Sequence, residues 1–207
     1  MAVCARNDEW TAGISFGTPT RRGTSMTTTQ ASVFIATSLD GFIARENGDL
    51  DWLPVPEAGG EDYGYVAFMK SVDALVMGRN TYEKALSFGG WPYAKKRVVV
   101  LTSRPLSPPP AGVKVETMAG EPASIIEQLA SSGAPRLYVD GGDTIRRFLN
   151  AGAIQRLIVT VIPVLIGRGI PLFGHLGRDI HLTHVATRSW PNGLVQSEYL
   201  VAPNKNP

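Results

Sequence analysis

Residues 72–82 read V-D-A-L-V-M-G-R-N-T-Y, an apolar run that stops at a glycine and an arginine. The continuous apolar run is typical of a strand buried on both faces. Gly78 would let a ligand approach the backbone closely, and Asn80 or Thr81 could cap the helix that follows. A helix starting there directs unpaired N–H groups and its positive dipole end at any ligand. With Arg79 beside it, the junction is a candidate phosphate site, although an ordinary turn with a surface arginine explains the same residues.

The pattern of a buried apolar run followed by small polar residues occurs twice more. One run precedes T-S-R at residues 102–104, and the other precedes D-G-G-D-T at residues 140–144, where Asp143 or Thr144 could cap a helix. In parallel α/β sheets, ligands bind at the carboxyl ends of the strands. Two arginines beside serine and threonine hydroxyls suit a phosphate monoester. We therefore expect the three junctions to form one anion-binding edge.

The composition excludes several classes of protein. A chain of 207 residues with 43% hydrophobic and 18% charged residues is long enough for one well-buried domain. A net charge of +2 with scattered arginines lacks the basic stripe of a nucleic-acid-binding protein. One cysteine excludes a disulfide framework and a cysteine-rich zinc site, and the three histidines lack the spacing of a zinc deaminase, so no metal is expected. No apolar stretch reaches the roughly 18 residues of a membrane span, so we predict a cytoplasmic protein.

The chain divides into a polar tail and a globular part. Residues 1–30 lack any helical or strand period and are predicted to be disordered, with Met1 and Met26 both open as the start of translation. Residues 31–203 are predicted to form the domain. An irregular stretch ending near Gly60 has the length of a lid or binding loop, in which Trp52 is either a plug or a pocket wall.

We predict an α/β fold with a mostly parallel central sheet, helices on both faces and an antiparallel C-terminal hairpin. The hairpin turn is W-P-N-G at residues 190–193. The segment from residue 154 to residue 201 is apolar and rich in strand patterns. Because an unprotected sheet edge favours association, we expect a homodimer.

Several motifs together carry a family resemblance. They are, in order, S-L-D-G-F-I-A, D-L-D-W-L-P, V-M-G-R-N-T-Y-E, V-V-L-T-S-R-P, L-Y-V-D-G-G-D-T and R-L-I-V-T-V-I-P-V-L-I-G-R-G-I-P-L-F-G. This combination resembles the dihydrofolate reductase-like superfamily with its three-layer fold. Within that superfamily the chain is most similar to the reductase domain of the bacterial bifunctional riboflavin deaminase-reductase and its stand-alone relatives. The resemblance covers about residues 31 to 201.

The resemblance implies NADPH as the cofactor, because arginines near the adenosine ribose favour a 2′-phosphate. It implies four groups of contacts: backbone on either side of the nicotinamide, phosphate contacts at one helix start, 2′-phosphate contacts, and pyrophosphate contacts at another helix start. In that order the residues are Ala36 and Ile43; Gly78, Arg79 and Thr81; Thr102, Ser103 and Arg104; and Gly141, Gly142, Asp143 and Thr144.

The substrate side is less well defined by the sequence. Asp40, Asp62 and Thr160 are the candidate catalytic residues, and Trp52 and Phe68 are the candidate substrate contacts. Asp40 could instead only hold a turn, Asp62 could only favour a helix start, and Thr160 could be an ordinary strand residue.

The activity that the resemblance implies is NADPH-dependent reduction of a small heterocyclic or ribosylamino-pyrimidine substrate. The alternatives are a dihydrofolate or pteridine reductase, a non-catalytic NADP-binding module, and a dimeric scaffold without a ligand. The scaffold hypothesis requires the three glycine- and serine-containing junctions to lie far apart.

Overall fold

The computed structural model describes residues 29–54, 60–93 and 95–203. The strands are β1 (Gln30–Ser38), β2 (Phe42–Ala44), β3 (Ala74–Gly78), β4 (Arg97–Leu101), β5 (Val115–Met118), β6 (Arg136–Asp140), β7 (Arg156–Ile162), β8 (Ile170–Pro171), β9 (Leu182–Ser189) and β10 (Val195–Val201). The helices are α1 (Tyr65–Ser71), α2 (Arg79–Leu86), α3 (Pro122–Ser131) and α4 (Gly142–Asn150). No helix within these ranges is long and apolar enough to cross a membrane.

Eight strands form one sheet in the order β5-β4-β3-β6-β1-β7-β10-β9. All pairs from β5 to β7 are parallel, and β10 pairs antiparallel with both β7 and β9. The strands β3, β4 and β6 are almost fully apolar and buried, as expected of a parallel sheet covered on both faces. The predicted parallel sheet with a C-terminal antiparallel hairpin is therefore confirmed.

Two apolar clusters cover the two faces of the sheet. One contains Ile125 and Leu129 of α3 together with Ile145 and Phe148 of α4. The other contains side chains of α1 and α2, including Phe68. Alternate residues of each strand enter opposite clusters because successive strand side chains point to opposite faces. The prediction of helices on both faces is thus confirmed.

Several predicted element limits differ from the observed ones. β1 begins at Gln30, so that residue belongs to the sheet and not to the predicted tail; residues 1–28, including Met26, lie outside the described residues. The spacing of apolar residues predicts a helix from about Glu61; α1 instead begins at Tyr65, because the segment before it is turned by two residues with positive φ. The pattern also predicts a strand over residues 113–116, and β5 begins two residues later.

The predicted side-chain caps of α2 and α4 are wrong. Helix α2 begins at Arg79, so Asn80 and Thr81 lie inside its first turn, and α4 likewise contains Asp143 and Thr144. Glycines occupy both capping positions and no side-chain oxygen caps either helix. The first N–H groups of both helices therefore remain available to a ligand.

A short strand, β2, precedes the predicted irregular stretch. β2 pairs antiparallel with β8 in a small separate sheet, with Ala44 opposite Ile170. A three-residue strand with a distant two-residue partner leaves no periodic signal in sequence. This small sheet attaches the segment after β1 to the loop between β7 and β9.

Candidate functional site

The three predicted anion-binding junctions lie at neighbouring strand ends. Gly78 at the end of β3 pairs with Leu101 of β4, so Thr102 follows directly beside it. On the other side of β3, Met77 pairs with Asp140 of β6. The junctions after β4, β3 and β6 therefore share one edge of the sheet, which excludes the scaffold hypothesis in its stated form.

The junctions at the starts of α2 and α4 contact each other. Gly141 has φ of +89°, and a Cβ atom there would collide with Thr81 Oγ1. A Cβ atom on Gly78 would lie 3.1 Å from Thr144 Oγ1. Each glycine thus makes room for a threonine hydroxyl of the opposite helix. The result is a pair of helix N-termini with two hydroxyl groups between them, an arrangement suited to a phosphate chain.

A cavity of about 870 Å³ opens at this edge. Its volume lies in the usual range for small-molecule sites. Eleven of the predicted residues line it: Ala36, Ile43, Asp62, Gly78, Arg79, Thr81, Gly141, Gly142, Asp143, Thr144 and Thr160. Six do not: Asp40, Trp52, Phe68, Thr102, Ser103 and Arg104.

The predicted binding loop contributes one wall of the cavity. Residues 46–48, Leu50, Leu53 and Pro54 line it. Lys84 of α2 donates to Asp49 Oδ1 at 3.1 Å and so joins this loop to the helix. The Lys84 and Asp49 side chains are partly exposed, so the bond is a weak attachment of a covering loop.

The two arginines assigned to phosphate differ in their surroundings. Arg79 lines the cavity and donates through Nε to Glu83 at 2.7 Å within its own helix. Its terminal nitrogens have no hydrogen-bond partner among the described residues. Arg104 is exposed beside the cavity, and its backbone N–H donates to Thr102 Oγ1 at 3.0 Å, which shapes the turn after β4.

Asp40 lies outside the cavity and binds a loop. Its carboxylate accepts hydrogen bonds from the N–H groups of Ile166 and Gly167, the shorter at 2.7 Å. The Ser38 side chain and these N–H groups hold the pKa of Asp40 below its usual value. The geometry therefore favours a structural role over proton donation, although Asp40 holds the loop at Ile166 and Gly167 and not its own turn.

The other substrate-side candidates are also engaged in the fold. Asp62 lines the cavity, but its two oxygens accept from the N–H groups of Gly64 and Val66 at 2.9 Å each. Phe68 is buried against Phe34, with ring centroids 4.9 Å apart. Trp52 lies in the covering loop without lining the cavity. Neither Trp52 nor Phe68 lines the cavity, contrary to the prediction that both contact the substrate.

The most unusual ionisable group in the cavity is Asp140, which the sequence analysis did not select. It ends β6 directly before the glycine pair, accepts from the Gly141 N–H at 2.8 Å and lies 3.3 Å from Tyr93 Oη. Burial raises the pKa of its carboxyl, although the residue keeps contact with the cavity. The sequence signal was a carboxylate at the end of a buried apolar run, which is costly unless it has a function.

Three tyrosines surround this carboxyl and complete one end of the cavity. Tyr65, Tyr93 and Tyr138 line the cavity, and burial raises the pKa of each phenol. Tyr138 donates to the Phe34 carbonyl at 2.9 Å. These groups are neutral donors over the whole physiological pH range. The cavity therefore has a phosphate-suited end at the two helix starts, and Asp140 with its weakly polar, aromatic surroundings lies directly beside it.

No group of three or more histidine, cysteine, aspartate or glutamate residues within the described ranges could hold a metal ion.

Comparisons with known proteins identify the family and agree with the fold. The model of the RibD C-terminal domain family matches residues 31–196. An uncharacterized protein, YwjB of Bacillus subtilis, is 37% identical over 174 residues, which cover 82% of this chain and 97% of the relative. The dihydrofolate reductase HdrB of Haloferax volcanii is 29% identical over 123 residues, covering 58% of this chain and 60% of the relative.

Solved structures share the fold. A putative riboflavin biosynthesis protein from Shewanella sp. PV-4 superposes with a TM-score of 0.77 at 42% identity, covering 84% of this chain and 99% of that one. A bifunctional deaminase and 5-amino-6-(5-phosphoribosylamino)uracil reductase from Thermotoga maritima has a TM-score of 0.62 at 16% identity, covering 85% and 57%. The likeness to the Thermotoga protein, at 16% identity, shows a shared fold and nothing more. The match over most of the chain shows that this protein belongs to the RibD C-terminal domain family.

Proposed function

We propose that this protein is an NADPH-dependent reductase of a small pyrimidine substrate of the ribosylamino type. The observation that carries the proposal is one cavity that combines two unlike features. Paired helix N-termini suit a phosphate chain, and a buried carboxyl among tyrosines lies directly beside them, bonded to the Gly141 N–H. Family membership and the Shewanella relative's description support a role in riboflavin-type chemistry.

The residues at the helix starts fit a dinucleotide phosphate chain. Gly78 and Gly141 hold the capping positions without a side-chain cap, and Gly142 begins α4, so the first N–H groups of both helices are available to phosphate. Thr81 and Thr144 add hydroxyl donors. Bound there, NADPH would supply a hydride, and the protein would supply position and a proton. Arg79 and Arg104 would offset the charge of the 2′-phosphate, which favours NADPH over NADH.

Asp140 is the proposed proton donor. A carbon–nitrogen double bond that is reduced at carbon also needs a proton at nitrogen. Because burial raises its pKa, the Asp140 carboxyl holds a proton at a higher pH than an ordinary aspartate does. Tyr93 keeps this side chain oriented through Oδ2. Asp62 is less suited, since both of its oxygens already accept backbone N–H groups.

The test is oxidation of NADPH with 5-amino-6-(5-phosphoribosylamino)uracil, a compound that the Thermotoga protein's description names, and with 7,8-dihydrofolate. We expect turnover with the pyrimidine and a strong preference for NADPH over NADH. Asp140→Asn should lose turnover while it still binds NADPH. Tight NADPH binding without turnover of any pyrimidine or pteridine would leave only a non-catalytic NADP-binding module.

The second candidate function is dihydrofolate or pteridine reduction. It is favoured by the alignment with the Haloferax dihydrofolate reductase over part of the chain. Turnover of 7,8-dihydrofolate at a higher kcat/KM than the pyrimidine would select this candidate. The same variants serve both assays, because the proposed NADPH contacts are common to the two reactions.

A further inference from the structure

A buried side-chain amide lies behind one wall of the cavity, in contact with a residue that lines it. Gln196 of β10 is opposite Thr160 of β7 in the antiparallel pair. Gln196 is 9% exposed and Thr160 is 5% exposed, and Thr160 lines the cavity. The Gln196 Nε2 atom lies 3.0 Å from the Tyr63 carbonyl oxygen and 2.9 Å from Thr160 Oγ1.

The Tyr63 carbonyl fixes which way this amide points. A carbonyl oxygen can only accept, so the NH₂ side of the Gln196 amide must face Tyr63. The amide has two N–H groups; one binds the Tyr63 carbonyl and the other binds Thr160 Oγ1. The Thr160 oxygen is therefore an acceptor in this bond, and its own proton has to point elsewhere. Among the described residues, no protein group accepts that proton.

Tyr63 is itself held firmly in place. It has φ of +52°, the one positive value among the non-glycine residues that the structure describes. Such a conformation costs about 1–3 kcal/mol and persists only where the surroundings enforce it. Asn192 donates to the Tyr63 hydroxyl at 2.8 Å, and the Trp190 ring packs edge-on against the Tyr63 ring. The C-terminal hairpin thus fixes the carbonyl that orients Gln196.

We propose that Gln196 is a positioning residue that makes Thr160 a hydrogen-bond donor toward the cavity, and that the substrate presents an acceptor atom to it. A ring carbonyl oxygen or an unprotonated ring nitrogen, as in a pyrimidinedione, meets this requirement. A substrate N–H at the same place is disfavoured, because it would use the second lone pair of the Thr160 oxygen and leave the Thr160 proton without an acceptor. The proposal rests on the proposed function, which supplies a pyrimidine as the ligand.

The test compares Thr160→Val, Thr160→Ser, Gln196→Glu and the Thr160→Val/Gln196→Glu double variant. The probe is 5-amino-6-(5-phosphoribosylamino)uracil, with its KM in turnover and its Kd by calorimetry. In Gln196→Glu an oxygen replaces Nε2; its O–H can donate to the Tyr63 carbonyl, while its lone pair accepts the Thr160 proton and takes the donor away from the cavity. Thr160→Val and Gln196→Glu should each weaken the probe roughly three- to tenfold, as expected for one hydrogen bond.

Three further results distinguish positioning from a general structural effect. Thr160→Ser should bind the probe like the wild type, since it keeps the hydroxyl. The double variant should bind no more weakly than Thr160→Val alone, because the two changes remove the same contact. The Kd for NADPH should stay unchanged in all four.

Three outcomes overturn the proposal. Wild-type affinity for the probe in Thr160→Val would show that the hydroxyl makes no contact with the probe. Additive losses in the double variant would show that Gln196 does not act through Thr160. Parallel weakening of NADPH shows a structural effect instead. If the wild-type protein neither binds nor reduces the probe, the proposed function fails, and the ligand assignment fails with it. That last result differs from the others because it appears before any substitution is made.

Discussion

At Asp140, the burial that suits the carboxyl to proton donation also lowers the stability of the folded protein. Burial disfavours the charged carboxylate, and the backbone N–H of Gly141 and the Tyr93 hydroxyl recover part of that cost. A carboxyl that keeps its proton can donate it, but it also makes the folded protein less stable than a neutral isostere would. We therefore expect a substitution at this residue to change catalysis and stability in opposite directions.

Asp140→Asn should therefore stabilise the protein as it inactivates it. As the pH rises above the ordinary value of 3.8, the unfolded chain ionises first, so the native carboxyl becomes increasingly destabilising until its raised pKa is reached. Asparagine removes this effect. Thermal unfolding should show the variant gaining Tm relative to the wild type between acidic and neutral pH, while kcat falls roughly 10²- to 10⁴-fold.

Asp179→Asn is the control, since Asp179 is exposed in a loop. It should leave kcat unchanged and show no Tm gain that grows with pH. A pH-independent Tm difference in Asp140→Asn would contradict the raised pKa.

Arg79 and Arg104 should determine the choice between the two nicotinamide cofactors. Replacing either by alanine should weaken NADPH by about 1.5 to 3 kcal/mol, roughly ten- to a hundredfold, and NADH far less. Lysine should recover only part, since a point charge cannot form a bidentate contact. Fluorescence titration measures the affinities for both cofactors. Equal weakening of NADH and NADPH would contradict the assignment of these arginines to the 2′-phosphate.

Arg79 allows a more specific test, because it pairs with Glu83 of its own helix. If that bond were its whole role, Glu83→Gln and Arg79→Ala would have the same small effect on stability and none on the cofactor. We expect Glu83→Gln to leave NADPH binding nearly unchanged, since it keeps the guanidinium.

At the scale of elements, the contact between the starts of α2 and α4 is the feature that makes the phosphate-suited end. Gly141→Ala would force an L side chain into a positive φ and into Thr81, separating the two helix starts. We expect a loss of stability of more than about 1 kcal/mol and a loss of NADPH affinity of at least tenfold. Chemical denaturation and cofactor titration measure the two effects.

Gly133→Ala is the matched control. Gly133 has φ of +85°, but a Cβ atom there meets no atom within 4 Å. It should cost a similar backbone strain and leave cofactor affinity unchanged. The same loss of NADPH affinity in both variants would refute the close-contact argument.

The elements differ in how well sequence could predict them. The buried strands β3, β4 and β6 were predictable because an unbroken apolar run needs cover on both faces. The helix starts were placed too late or too early because the capping positions are glycines, whereas propensity favours polar side chains there. The small β2–β8 sheet was not predictable, since its pairing depends on contacts between distant segments.

The site was predictable where it follows from topology, and missed where it depends on packing. Neighbouring parallel strands bring their carboxyl ends together, so the glycine junctions were found. Phe68 was predicted to contact a substrate, yet the helix turns it into the core. The role of Gln196 needs a register between β7 and β10 that no motif specifies.

At the scale of the whole molecule, β9 is the least covered strand of the large sheet. All eight of its residues are exposed, including Leu182 and Val185, and Leu200 of the adjoining β10 is 46% exposed. An exposed apolar edge strand is an association site. We propose that two copies pair through this edge to form a homodimer.

Light scattering at micromolar concentration should give the mass of a dimer. Val185→Glu should shift it to the monomer, because a charge would be buried in the interface. Leu165 is 69% exposed in a loop outside β9, so Leu165→Glu is the control and should leave the mass unchanged. A monomeric wild-type protein would refute the proposal.

The strand order also has a consequence for how the chain folds during synthesis. β1 lies between β6 and β7 in the sheet, and Ala31 already bonds to a side chain 124 residues later. β1 thus has neither neighbour until most of the chain has been made. Contacts so distant along the chain fold slowly and leave the strand exposed to aggregation. The time taken to translate from β1 through residue 162 therefore sets how long the apolar strand waits for both of its neighbours.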